Sequence, residues 1–167
     1  GATTISVGTG GGGTLNVSEA VLDRVQSSIE SIVIGVEGGG GTGQTGSITI
    51  QDTGDNQVSI ANTSLTIHAN GTSGSLRIRD TLALSASTAT LTINGSGSTT
   101  RLEADITTEG GNVHIDDALR VDGDRTIQTT GAGDNVNGGS VTITGQIDGQ
   151  NTNGADILSI DAARGTV

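Results

Sequence analysis

Residues 74–97 read GSLRIRDTLALSASTATLTINGSG. Three times in this stretch an aliphatic residue, one intervening residue and a second aliphatic follow each other: Leu76/Ile78, Leu82/Leu84 and Leu91/Ile93. Alternation with a period of two turns one side of a strand inward and the other outward. Apart from Arg79, the residues that separate and follow the dyads are Ser, Thr, Ala, Asp, Asn and Gly, a composition of turns and corners. The stretch therefore predicts short parallel strands linked by tight corners.

The same dyad runs through the rest of the chain. It recurs at Ile5/Val7, Leu15/Val17, Ile48/Ile50, Val58/Ile60, Leu65/Ile67, Val113/Ile115, Leu119/Val121, Val141/Ile143 and Leu158/Ile160, with single apolar positions at Ile106, Ile127 and Ile147. Ile50, Ile60, Ile67, Ile78, Ile93, Ile115 and Ile143 are expected to point inward. Thr49, Ser59, Thr66, Arg77, Thr92, His114, Arg120 and Thr142 fill the outward positions. Intervals between dyads cluster near six to seven and ten to eleven residues, so two or three strands add to about 20 residues, a length found in solenoid repeats. An antiparallel sandwich needs more even hairpin spacing and usually buries aromatic side chains. The expected fold is all-β: a parallel β-helix, or β-solenoid, formed by residues 1–167 as one domain.

Composition sharpens this. The 167 residues carry a formal charge of −11 and include 29 Gly but no Pro, Cys, Met, Trp, Tyr or Phe. All seven basic residues are Arg. Such a Gly- and Ser-rich chain resembles disordered sequences, but 39 Ile, Val and Leu at regular spacing can fill a core. Without Cys there is no disulfide or thiolate site. Without aromatics there is no platform for stacking bases or sugars. The acidic balance disfavours nucleic-acid phosphates, and no apolar run approaches the length of a membrane helix.

One segment departs from the dyad. SEAVLDRVQSSI (18–29) places Val21, Leu22, Val25 and Ile29 at helical spacing, with Ser18 as N-cap and Glu19 in the first turn. It predicts a short α-helix over about 18–28, then a strand at 32–36. EGGGGTGQTG (37–46) is expected to be a flexible, exposed loop. Residue 1 is Gly rather than Met, and no signal peptide is recognisable, so the chain is expected to be processed, recombinant or a piece of a longer protein.

The stretches 74–97, GNVHIDDALRVDGDRTIQTTGAGDNVNGGSVTITGQIDG (111–149) and ADILSIDAARGTV (155–167) resemble repeats of very large bacterial exoproteins, the filamentous-haemagglutinin-like adhesins. LNVSEAVLDRVQSSIESIVIG (15–35) is similar to segments found between such repeats. The resemblance covers about four-fifths of the chain and rests on composition and degenerate motifs. It implies a single-stranded, right-handed parallel β-helix, secretion to the bacterial cell surface, and a structural or adhesive role. The secretion domain of that family is not recognisable here.

Chemistry is sparse. His68 and His114 are read as surface histidines, and neither has a second His at zinc-ligand spacing. Closely spaced acids suggest calcium, which takes six to eight oxygens. Asp122 and Asp124 flank Gly123, Asp134 follows Gly133, Asp52 and Asp55 bracket Thr53 and Gly54, and Asp116 and Asp117 follow a strand. Asp122, Asp124 and Asp134 are the weak calcium candidates. Asp at solenoid corners more often forms turns, and the tandem nonapeptide of calcium-binding β-rolls is missing. No cofactor is expected. Polysaccharide lyases and hydrolases share the fold, but their aromatic groove and clustered bases have no counterpart here, so the chain is expected not to be an enzyme. Ice binding needs Thr rows in register, and the outward positions vary. The expected function is a structural segment of an extracellular fibre, joined head-to-tail to another copy or to adjacent repeats of its own chain. The alternative is an adhesin module that binds a host or surface ligand.

Overall fold

The computed structural model describes residues 3–9, 12–37, 46–69, 75–131, 137–151 and 154–162. Their strands are β1 (Ile5–Val7), β2 (Leu15–Val17), β3 (Ser31–Gly35), β4 (Ile48–Ile50), β5 (Gln57–Ile60), β6 (Ser64–His68), β7 (Ser75–Ile78), β8 (Thr81–Leu84), β9 (Leu91–Leu102), β10 (Ile106–Thr108), β11 (Val113–Val121), β12 (Arg125–Gln128), β13 (Val141–Ile143), β14 (Ile147–Gly149) and β15 (Leu158–Asp161). One helix, α1 (Glu19–Leu22), lies between β2 and β3. The described residues are therefore all-β with one short helix, and every strand pair among them is parallel. An isolated antiparallel bridge joins Glu109 and Thr130.

The strands form three columns. The first runs β2–β1–β4–β7, then the second half of β9, the second half of β11, and β14. The second runs β5–β8–β10–β12–β15. The third runs β3–β6, the first half of β9, the first half of β11, and β13. From β4 onward the chain visits the columns in fixed rotation. β9 and β11 pass from the third column to the first without a break, which joins those columns into one ten-stranded sheet.

Register follows from the dyads. Ile48, Leu76, Thr100, Leu119 and Ile147 are successive partners in the first column, at spacings of 28, 24, 19 and 28 residues. Val58, Leu82, Ile106, Ile127 and Ile160 do the same in the second. Leu65, Leu91, Val113 and Val141 do so in the third. A one-residue slip would turn every aliphatic outward, so the buried interior fixes the pairing. Aliphatics of all three columns meet in one core cluster. Ile50, Ile60, Ile67, Ile78, Ile93 and Ile115 are buried as expected, and Ile143, on the last strand of its column, is half-buried. Five of the described Thr are buried, each with a bonded hydroxyl: Thr63 to the Ile29 carbonyl at 2.7 Å, Thr100 to Asp117 at 2.8 Å, Thr108 to the Gly111 carbonyl at 2.6 Å, Thr129 to the Gly139 carbonyl at 2.7 Å, and Thr130, which accepts from Gln128 Nε2 at 3.0 Å.

The helix is shorter than the spacing predicts. Four residues are helical, and beyond them Arg24, Val25 and Ile29 make only i→i−3 turn bonds. Ser18 makes no side-chain cap, and only Leu22 is buried, while Val21 and Ile29 are about half exposed. A single turn without a cap or a second buried stripe does not propagate. The strand expected at 32–36 is β3, shifted by one residue. Most of the expected flexible loop 37–46 lies outside the described residues.

At the corner between the two halves of β11, Asp117 makes a bulge and folds back over Gly95. Its carboxylate accepts from Thr100 Oγ1 at 2.8 Å, Ser98 Oγ at 3.1 Å and the Ala118 N–H at 2.8 Å. Burial nevertheless pushes this carboxyl above its ordinary range. A group whose folded pKa is raised loses stability as pH rises from the unfolded value through the folded one. Asp117→Asn is therefore expected to gain on the native chain across the carboxylate range and to hold that gain at neutral pH. Thermal melts of both chains at acid and neutral pH test this, and a melting difference independent of pH would refute it.

Candidate functional site

The acidic residues singled out in the sequence do different jobs. Asp122 Oδ2 accepts from Arg101 Nη2 at 2.6 Å, and this bond raises the Arg101 pKa further. The Asp124 backbone carbonyl accepts from Arg125 Nη1 at 2.7 Å. Asp134 lies outside the described residues. Among those residues, Asp122 and Asp124 belong to no group of three or more potential metal ligands.

Asp122 instead ends an ion-pair row along the outward face of the first column. Arg77 donates to Glu103 Oε1 through Nη2 at 2.7 Å, and Arg101 Nε lies 3.0 Å from the same oxygen. Arg79 Nε is 3.5 Å from Glu103 Oε2, and its Nη1 donates to Gln51 at 3.0 Å. The register that stacks Leu76 on Thr100 also stacks Arg77 on Arg101, and one carboxylate between them relieves their repulsion. The partners are partly exposed, so the row sets register more than it adds stability.

The acids that do converge are Glu19, Asp52 and Asp55, each with a carboxylate oxygen within 4.8 Å of the others. Asp52 is buried, and its Oδ2 accepts from the Gly54 N–H at 2.7 Å and the Asp55 N–H at 3.0 Å. Its Oδ1 accepts from the Thr9 N–H at 3.3 Å and from the Thr9 hydroxyl. The Asp55 N–H is the largest of the causes that hold this carboxyl below its ordinary range, partly offset by burial. Glu19 Oε1 accepts the outward-facing N–H of Ser59 at 3.0 Å. This bond ties α1 onto the free side of β5. Sequence reading placed Glu19 in a helix first turn, and nothing local marks it as the partner of a strand 40 residues away.

Donors from the protein already occupy the Asp52 oxygens, so the trio is built as a corner clamp. A chelator is expected to leave the melting temperature unchanged, and added calcium to raise it only slightly. A chelator that melts the fold would reverse this assignment. Asp156 works in the same way at another corner. It accepts from the Asn151 N–H at 2.6 Å and the Gly123 N–H at 2.8 Å, and its pKa falls, chiefly through the first bond.

His68 differs from its sequence reading. It is the buried last residue of β6, with Nδ1 at 3.4 Å from Asn94 Nδ2 on the neighbouring strand. Its ladder partners are Gly35 on one side and Asn94 on the other, so it is a buried side chain rather than a surface histidine. His114, the second residue of β11, is half-buried. No described helix is long and apolar enough to cross a membrane. Comparison with family models, curated proteins and solved structures gives no match.

Proposed function

We propose that the chain is a structural segment of an extracellular bacterial fibre or surface filament, built as a single-stranded, right-handed parallel β-helix. The observation that supports this best is the fixed rotation of the chain through three in-register parallel columns around an aliphatic interior. Each circuit bonds to the next along one axis, so a pull along that axis is shared by many backbone hydrogen bonds. Asp and Gly corners close the circuits, and the acidic surface keeps neighbouring fibres apart.

The shape of the ends bears on how segments join. On the β1 side, the first column carries two strands beyond β4, namely β1 and β2. The second carries α1, and a helix about 10 Å across fills two strand layers of about 4.8 Å. Among the described residues the third carries only β3. A flat end from a second copy would strike β2 and α1 before it reached β3. At the other end the last described strands are β14, β15 and β13, and β13 again stops one layer short of the other two. Both ends therefore present a third column recessed by about one layer, whether the neighbour is another copy or an adjacent repeat of the same polypeptide.

Electron microscopy of the native material tests the proposal. Long fibres are expected, and isolated particles would overturn it. The reading is non-enzymatic, so no unsaturated sugar ends should be released from polygalacturonate or alginate, with or without calcium. Their ultraviolet absorbance would put a lyase in its place.

A further inference from the structure

Among the described residues, the β1 end leaves a gap one strand wide in the third column. β3 pairs with β6 on one side, and no described strand pairs with its other side. The Glu30 carbonyl accepts from the Ser64 N–H at 3.3 Å. In a parallel ladder that pairing uses the N–H groups of residues 32 and 34 and turns those of Ser31, Val33 and Gly35 away from β6. Beside this edge lies an apolar groove of about 330 Å³ whose walls include Leu15, Val17, Val33 and Ile34. Leu15, in register with buried Ile5, is nevertheless 50% exposed, as an inward side chain would be if one more strand of the third column were needed to cover it.

We infer that this gap is a docking site for an extended peptide, which adds to β3 as a parallel strand. The occupant carries the aliphatic–polar–aliphatic dyad of this chain's own third-column strands, with Lys or Arg at its ends. The dyad follows from the groove, because alternate side chains of an added strand would lie against Leu15, Val17 and Ile34. The basic ends follow from charge: exposed Glu30 and Glu37 bracket β3 on a chain of net charge −11. A folded second copy does not fit, because β2 and α1 stand higher than β3. A single strand does.

The probe is the labelled peptide KSLTITK, which repeats the Ser-Leu-Thr-Ile of β6, the strand β3 already pairs with. Saturable binding, weakened by salt, is expected. Val33→Pro removes an outward N–H without touching the β3–β6 bonds and is expected to weaken binding about tenfold or more, with little change in melting. Leu15→Asp, at a half-exposed site, serves if the proline variant fails to fold. A scrambled peptide without alternation should not bind. Equal binding to native and variant chains, or no binding at all, would overturn the inference. So would concentration-dependent self-association that Val33→Pro abolishes while the peptide stays unbound, which would assign the gap to a second copy.

Discussion

Ile78→Asp is expected to unfold the circuit that holds it and to lower the melting temperature more than any surface change. Ile78 is fully buried and lies in register between Ile50 and Leu102. Losing its burial removes about 2 kcal/mol. A carboxylate without a partner in that aliphatic interior adds several kcal/mol more. Domains of this size are stable by only about 5–15 kcal/mol, so the change consumes much of the total. Ile78→Val keeps the shape and is expected to cost only about 1 kcal/mol. Far-ultraviolet circular dichroism melts compare the three chains. An aspartate variant that melts with the native chain would disprove the inward assignment on which the fold rests.

The second large effect is expected at Gly111. A Cβ placed there would lie 1.7 Å from the Ala89 carbonyl oxygen, and one on Gly139 would lie 2.2 Å from the Gly111 oxygen. Backbone is stacked on backbone at this corner, and no side chain can swing aside. Gly111→Ala must push two circuits apart, straining the neighbouring bonds from Leu91 N to Asn112 O and from Val113 N to Ser140 O, both 2.9 Å. Overpacking of this kind costs about 1–3 kcal/mol or more. Gly12→Ala meets nothing within 4 Å and serves as the control. Equal melting of the two variants would show that the corner tolerates a Cβ.

The strands were legible because their signal is local. Each dyad states which side chains face inward, and the parallel pairing repeats that statement from circuit to circuit, as in Ile67 beside Ile93 and Ile93 beside Ile115. The helix was overread because Val21 and Ile29 have the right spacing but nothing to cover them. Partners across circuits were illegible. That Glu19 would reach Ser59, that Asp117 would tuck over Gly95, and that Glu103 would gather three arginines depend on corner lengths, which the dyads do not encode. His68 belongs with these, since its partner Asn94 sits on the neighbouring strand 26 residues away.

The unequal circuits have a genetic consequence. Leu76 and Thr100 hold equivalent places one circuit apart, as do Ile48 and Leu76. Deleting codons 76–99 would bring Thr100 to the place where Leu76 stood beside Ile48, and every strand downstream would keep an in-register neighbour. Duplicating the same codons would insert a circuit just as cleanly. Because the corners absorb differences as large as that between 19 and 28 residues, the crossover need not fall at one fixed spot. Unequal recombination within such a gene would lengthen or shorten the three strand columns in steps of about 4.8 Å while leaving their register intact.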